Sequence, residues 1–251
     1  MNDNKPKIAL IGYGAMGREI ERIAQREDFI ITDIFEIDSK ISGSKKYDFD
    51  VAIDFGYSEF VLENVEILSK LKKNIVIGAT GWYNEIEDVK SIVQKNDIGC
   101  IWGSNFSIGV QMYQRIVEIA TKFINKVPGY DIMLHELHHK RKKDSPSGTA
   151  LTLADIILKN VEYKKEILTE KSQDRISIEQ LHVSSTRGGE ITGTHTVIID
   201  SFADTIELTH RAKNRTAFAE GAISAAQWIF GKKGFYDFND MLNDIWKDID
   251  V

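Results

Sequence analysis

A short apolar run, Lys7-Ile8-Ala9-Leu10-Ile11, passes directly into Gly12-Tyr13-Gly14-Ala15-Met16-Gly17. Residues 18–26 follow, with Ile20, Ile23 and Ala24 at helical spacing. Three glycines at this spacing, between a strand and a helix, are what a dinucleotide-binding turn needs. Gly12 permits the tight turn, Gly14 lets the backbone approach a pyrophosphate, and Gly17 lets the helix pack on the strand. The free N–H groups and dipole of the helix start then face the phosphates. The glycines alone would fit an ordinary turn. Their flanks make Gly12, Tyr13, Gly14, Ala15, Met16 and Gly17 the candidate cofactor cradle.

Strands and helices keep alternating after it. Residues 29–35 read as a second strand ending in Glu36-Ile37-Asp38. An acid at this strand end can accept hydrogen bonds from ribose hydroxyls. Glu36 is preferred over Asp33, which lies inside the apolar run. Glu36 repels a 2′-phosphate and no arginine follows it, so NADH is expected to serve at least as well as NADPH. Lys40, Lys45 and Lys46 are the cations that would offset this. Further strands are expected at 49–56, 74–81 and 99–102, with helices at 58–70 and 85–95. This order implies a doubly wound parallel sheet whose loops gather at the carboxyl ends of the strands. Gly78, Ala79 and Thr80, with Gly103, Ser104, Asn105 and Phe106, are therefore expected to line the cofactor crevice.

Residues 110–126 read as an amphipathic helix joining two domains, with Met112, Ile116, Ile119, Ala120 and Phe123 as its core face. After Pro128-Gly129 the period changes to two. Residues 131–139 read as a strand entering a loop, with His138 and His139 on opposite faces and hence in different roles. Lys140-Arg141-Lys142-Lys143 follow, four consecutive cations in a chain of net charge −6. Such a run is ordinarily a solvated face. Ser147-Gly148-Thr149 changes the weighing. Ser147 is a natural N-cap for an apolar helix, and the N–H groups of Gly148 and Thr149 are offered to an anion. Histidine moves protons near neutral pH. The stretch reads as a site for a small dianion with proton-donating groups beside it. No metal site is expected: His135-Glu136-Leu137-His138 is one residue short of H-E-x-x-H, and no cysteine pair supplies further ligands.

The bulk properties narrow the setting. Mild acidity argues against a nucleic-acid or membrane-surface partner. The apolar run near the N-terminus is too short for a signal peptide or a membrane span. Cys100 is the single cysteine, so no intrachain disulfide forms, which fits a reducing, cytoplasmic setting.

The run from His138-His139-Lys140-Arg141-Lys142-Lys143-Asp144 through Ser145-Pro146-Ser147-Gly148-Thr149-Ala150 resembles the signature H-H-x-x-K-x-D-A-P-S-G-T-A of the dihydrodipicolinate reductase family. Ser145 stands where alanine is usual. The likeness extends to the glycine fingerprint, residues 78–81 and 105–109, Arg187-Gly188-Gly189, Gly193-Thr194-His195, His210-Arg211-Ala212 and residues 218–226. It implies an α/β fold: a doubly wound parallel Rossmann sheet plus a second α+β domain with a mixed, largely antiparallel sheet. Residues 1–108 and 214–251 would form the dinucleotide-binding domain, and 109–213 a substrate-binding and oligomerisation domain. The implied reaction is reduction of 4-hydroxy-tetrahydrodipicolinate, with loss of water, to tetrahydrodipicolinate by NADH or NADPH in lysine and diaminopimelate biosynthesis. The resemblance gives His138 and Lys142 proton-transfer roles, His139 a contact with the cyclic dicarboxylate, and Gly148 and Thr149 its carboxylate. It also implies a homotetramer. Two other readings share part of the pattern. One is a different two-domain NAD(P)-dependent oxidoreductase acting on an amino or keto acid; the other is a non-catalytic NAD-binding protein. The first has no reason to carry His-His-x-x-Lys with Ser-Gly-Thr; the second would tolerate loss of Lys142 or His138, and both are present.

Overall fold

The structure is a computed structural model and describes residues 5–169, 172 and 174–249. The elements in chain order are β1 (Ile8–Ile11), α1 (Ala15–Arg26), β2 (Ile31–Phe35), β3 (Val51–Asp54), α2 (Val61–Lys70), β4 (Asn74–Ile77), α3 (Ile86–Asn96) and β5 (Gly99–Trp102). Then come α4 (Ile108–Ile124), β6 (Asp131–His138), α5 (Gly148–Asn160), β7 (Glu166–Leu168), β8 (Gln180–Arg187), β9 (Gly193–Asp200) and β10 (Thr205–Ala212). The chain ends with α6 (Thr216–Ile229), β11 (Gly234–Asp237) and α7 (Phe238–Ile245). Two compact units result: the chain up to Ile108 together with Arg215 onward, and Gly109–Asn214. Among the described residues no helix is long and apolar enough to cross a membrane.

The first unit is built on a parallel sheet of order β11-β5-β4-β3-β1-β2. Its central strands are buried on both faces, so they read as continuous apolar runs. Alternate residues supply opposite layers. Ile8, Leu10, Val51, Ile53, Val76 and Ile101 pack with the inward faces of α1 and α6. Ala9, Ile11, Ala52, Ile75, Ile77 and Cys100 pack with α2 and α3. Strand order reverses at β1, between β2 and β3, which is where a doubly wound sheet opens its ligand crevice. The sixth strand, β11, pairs with β5 in register Phe235↔Cys100. It takes its place from that pairing rather than from any pattern of its own.

The second unit holds a mixed sheet of order β10-β9-β6-β8-β7. Pairs β10–β9 and β9–β6 are antiparallel; β6–β8 and β8–β7 are parallel. One face carries Ile132, Leu134, Leu181, Val183, Val197 and Ile199 against α4 and α5. The face of α4 used for this differs from the expected one. Val110, Tyr113, Val117, Thr121 and Ile124 are buried, whereas Met112, Ile116 and Phe123 are 49%, 48% and 69% exposed. The helix has apolar residues on more than one side, so periodicity alone does not choose. Tyr113 does: its hydroxyl donates to the Leu208 carbonyl at 2.9 Å and accepts from the Val197 N–H at 3.1 Å.

One buried acid in the first unit has a measurable consequence. Asp54, at the carboxyl end of β3, has no solvent exposure. It accepts from the Gly56 N–H at 2.8 Å and from Asn64 Nδ2 at 2.9 Å. Burial outweighs these donors and pushes its carboxyl up to about 6. An unfolded aspartate titrates near ~3.9. The native state therefore binds this proton more tightly, and the resulting stability, full below the unfolded value, is lost as pH rises through the folded one. Against Asp54→Asn, the wild type should lose on the order of 3 kcal/mol between about pH 4 and about pH 7. Urea denaturation across that range reads the difference; parallel curves for the two proteins would contradict it.

Candidate active site

The expected cradle lies at the switch point. Gly12 has φ +85°, and a side chain there would come within 2.7 Å of the Gly56 backbone. A side chain at Gly17 would fall 2.3 Å from the Gly12 carbonyl oxygen, while nothing lies within 4 Å of a side chain built at Gly14. Gly12 and Gly17 thus close the turn on its neighbours, and Gly14 leaves an open approach to the start of α1. A cavity of about 510 Å³ adjoins this turn, lined by Gly12, Tyr13, Gly14, Glu36, Phe55 and Gly56, with Arg18 and Lys40 also on its wall. These features fit a dinucleotide: open backbone at a helix start, an acid at the end of β2, and apolar walls. Lys40 Nζ sits 3.7 Å from the Phe60 ring centroid and 3.6 Å from Glu63, and Arg18 lies over the Tyr13 ring.

The later loops divide differently. Ala15, Met16, Gly17, Gly78, Ala79, Thr80, Gly103, Ser104, Asn105 and Phe106 are not part of that wall. Gly78 is packed so closely that a side chain would meet the Phe55 ring at 2.2 Å. Phe106 is buried against Phe55 and Phe238, with ring centroids 5.9 and 4.7 Å away. Ala79 is buried, and Thr80 and Ser104 are exposed.

In the second unit the sheet face that is apolar at one end turns polar at the other. Strand parity continues Ile132 and Leu134 into Glu136 and His138, Leu181 and Val183 into Ser185 and Arg187, and Ile199 and Val197 into His195 and Gly193. Register places Glu136 beside Ser185 on one side and His195 on the other. Glu136 is fully buried. Its Oε1 accepts from Arg187 Nη2 at 2.7 Å, Ser185 Oγ at 2.8 Å and the Ser147 N–H at 3.0 Å. Its Oε2 accepts from the Ser147 hydroxyl and lies 3.4 Å from both His138 Nδ1 and His195 Nε2. Burial pushes this carboxyl up, but donors from His195, Ser147, Arg187 and Ser185 together hold it well below the usual range. It is an anion at any ordinary pH. Its oxygen and the two imidazoles converge closely. The pairing with Arg187 and the serine donors, however, already occupies the carboxylate.

His138 is buried, and burial lowers its pKa to about 4. Glu136 opposes that shift, while His195, Lys142 and Arg187 add to it. The imidazole is thus neutral at pH 7 in the free protein. Gly193 makes room for it: a side chain there would come within 3.0 Å of His138 Nε2. His139 lies beyond the end of β6, in the following turn, where its N–H donates to the Ile191 carbonyl at 2.7 Å. The two histidines are therefore separated by the strand end rather than by strand alternation. His138 Nδ1, His139 Nδ1, His195 Nδ1 and Arg187 Nε are buried with no hydrogen-bond partner among the described residues. His138 Nδ1 faces Glu136 Oε2, 3.4 Å away; the other nitrogens, left so in a group this polar, mark a place for ligand or water.

Ser147 caps α5 by accepting from the Ala150 N–H, which leaves Gly148 and Thr149 as the first residues of the helix. No neighbour crowds a side chain built at Gly148. Lys142 pairs with Asp144 at 2.9 Å and is 24% exposed. Arg141 pairs with Glu190 on the surface, and Lys140 and Lys143 are exposed. Sequence reasoning missed Glu136, Ser185, Arg187 and His195 as site residues. The available signal was parity: an acid on the same strand face as Ile132, Leu134 and His138.

Residues 6–106 match the family described as dihydrodipicolinate reductase, N-terminus, and residues 109–242 match dihydrodipicolinate reductase, C-terminus. A protein of Christiangramia forsetii named 4-hydroxy-tetrahydrodipicolinate reductase is 38% identical over 96% of this chain and 99% of its own length. One of that name from Aquifex aeolicus is 39% identical over 77% and 73%. A solved dihydrodipicolinate reductase from Paenisporosarcina sp. TG-14, with dipicolinate bound, superposes with TM-score 0.75 at 20% identity, covering 95% of this chain and 100% of that one. It shows the same fold.

The cradle geometry makes one variant decisive. Gly12→Ala would combine a strained φ with a clash against Gly56, so the turn must open. NADH affinity should fall at least about tenfold, since displacement by about an ångström costs more than that in a closely fitted site. NADH fluorescence titration measures it.

Proposed function

The chain belongs to the dihydrodipicolinate reductase family, and from that we propose how its residues divide the work of a 4-hydroxy-tetrahydrodipicolinate reductase. The reaction consumes the hydroxylated cyclic dicarboxylate, NAD(P)H and one proton, and yields tetrahydrodipicolinate, NAD(P)+ and water. It belongs to lysine and diaminopimelate biosynthesis. The observation that carries the assignment of residues is the convergence of His138, His195, Arg187 and Glu136 on one sheet face beside the capped start of α5.

The reduced nicotinamide supplies the hydride. The Gly12 to Gly17 turn holds its pyrophosphate against the start of α1, and Glu36 accepts from the adenosine ribose. Lys40 and Arg18 stand in the same cavity as Glu36 and offset its repulsion of a 2′-phosphate. NADH and NADPH are both accepted on this reading. Ala79, Thr80, Ser104 and Asn105 belong to loops at the carboxyl ends of β4 and β5, and they contribute to the nicotinamide end. Phe106, Gly78 and Gly103 act by packing.

The N–H groups of Gly148 and Thr149 and the Thr149 hydroxyl hold one substrate carboxylate at the positive end of α5. His139 contacts the substrate from the turn. His138 delivers the proton that balances hydride addition, assisted by Lys142. His138 is neutral before substrate arrives. A dianion offsets the influence of Lys142, Arg187 and His195 and favours the charged imidazole. The dipicolinate bound to the Paenisporosarcina enzyme is a cyclic dicarboxylate of this kind.

The first unit is thus the dinucleotide-binding domain, and the second binds substrate and assembles. The open face of its sheet, with Met133, Leu137 and Ile198 half-buried, fits pairing with other copies into a homotetramer. The enzyme works in the cytoplasm, with other reductive biosynthesis.

A coupled assay tests the activity: fresh aspartate semialdehyde, pyruvate and the upstream synthase, with NADH absorbance as the readout. His138→Gln should lower kcat by about 10²-fold or more and Lys142→Ala by about 10-fold or more, since general acid–base groups contribute on that scale. Near-wild-type rates in both would remove the proposed roles while leaving the activity in place. Light scattering on the eluting protein should give the mass of four chains; a monomer would remove the assembly.

A further inference from the structure

Glu136 presents its two oxygens to different partners. Oε1 is an anchor: it takes Arg187, Ser185 and the Ser147 N–H. Oε2 faces the Ser147 hydroxyl and the two imidazoles, His138 through Nδ1 and His195 through Nε2. Arg187 and the donors on Oε1 would suffice for a purely structural ion pair. The arrangement on Oε2 adds orientation. We propose that Glu136 is the positioning residue of this site: it holds the His138 ring with Nδ1 toward the carboxylate, leaving Nε2 to pass the proton, and through Ser147 it fixes that ring relative to the start of α5. This rests on His138 being the proton donor.

Physical reasons support the choice of atom. A buried anion beside an imidazole favours the tautomer whose N–H points at it. Nδ1 has no hydrogen-bond partner of its own among the described residues, and Glu136 Oε2 is the acceptor facing it. Nε2 lies against Gly193, where a side chain would come within 3.0 Å of it, so the glycine is what lets the ring sit with Nε2 free of a side-chain clash. The groups facing His138 are Glu136 on β6, His195 on β9, Arg187 on β8 and Lys142 in the turn after β6; Glu136 alone favours the imidazolium. Ser147, held by the same carboxylate, caps the helix whose first N–H groups bind the substrate. One residue therefore sets the distance between the proton and the bound carboxylate.

Glu136→Gln keeps the size, and an amide oxygen at the Oε1 position can still accept from Arg187, Ser185 and the Ser147 N–H, while the charge and the Oε2 acceptor are removed. Activity depends on protonated His138, so kcat falls as pH rises through its value in the complex. That alkaline limb should move to lower pH by about one unit, the shift expected when an opposite charge within a few ångströms is lost. At neutral pH kcat should fall about 10- to 100-fold, with KM for the dicarboxylate changed by less than about threefold. An unmoved limb, or kcat and KM changing together with no shift, overturns the proposal. A measurement on the wild type stands whether or not the variant folds. The 15N shifts of His138, identified by their loss in His138→Gln, should report the Nδ1–H tautomer; an Nε2–H tautomer overturns the proposal. The two claims separate cleanly. Full activity in His138→Gln sinks the proton-donor role, whereas loss of activity there with an unmoved limb in Glu136→Gln sinks only the role of Glu136.

Discussion

An ionised carboxylate cut off from water is tolerable only where its lone pairs are taken up and its charge is paired. Glu136 meets both conditions, and much of the second unit follows from how. Ser185 and His195 reach it because they are its direct cross-strand neighbours, and Arg187 because it lies two residues along the same face of β8. A slip of one residue in either pairing would turn these groups to the other face of the sheet. Register, buried charge and the start of α5 are therefore one constraint. Ser147 joins the strand to the helix, since the residue that donates to Glu136 is also the N-cap of α5.

The two units solve a similar problem with different materials. In the proposed roles, each must hold an anion in a protein whose own charge is −6. In the first, the donors are backbone N–H groups exposed by glycines, and the close contacts of Gly12 with Gly56 and of Gly17 with Gly12 show how little space the turn leaves. Glu36 stands in the same cavity, together with Arg18 and Lys40. In the second, backbone N–H groups at the start of α5 stand near a lysine, an arginine and histidines. Fixed and titratable charges there influence one another, which is why His138 responds to its surroundings so strongly.

The doubly wound sheet was legible because its strands are apolar runs alternating with amphipathic helices, and the glycine turn sits at a topologically required place. The stretch His138 to Thr149 was legible because its residue types are rare together. Other features depend on tertiary contact and left weaker traces. The buried face of α4 is chosen by Tyr113 bonding across to β9 and β10, and the residues Met112, Ile116 and Phe123 offered periodicity an equally apolar alternative. The strand identity of Gly234–Asp237 comes from its partner β5. The parallel half of the second sheet cannot be seen in alternation, which is the same for either direction. Glu136 was visible by parity, as a charge at a core position of a strand. Its partners were not, because they lie about fifty residues away on β8 and β9 and only register brings them in.

A buried histidine beside Lys142 and Arg187 has no proton to give at rest, since burial and these cations favour the neutral ring more than Glu136 favours the charged one. That is an advantage if the proton is needed only when substrate is present. A dicarboxylate brings two negative charges to the same neighbours, and the imidazole gains affinity for a proton as the cations are offset. Glu136 cannot supply this change, because it is already ionised and already paired. Its contribution is constant: it fixes the ring and moderates the penalty of burial, while the substrate provides the variable part. In the proposed roles, the carboxylate subsite at α5 and the proton donor on β6 are therefore coupled electrostatically as well as through Ser147. The fully buried position of Glu136 strengthens that coupling, since low exposure leaves little water to screen it.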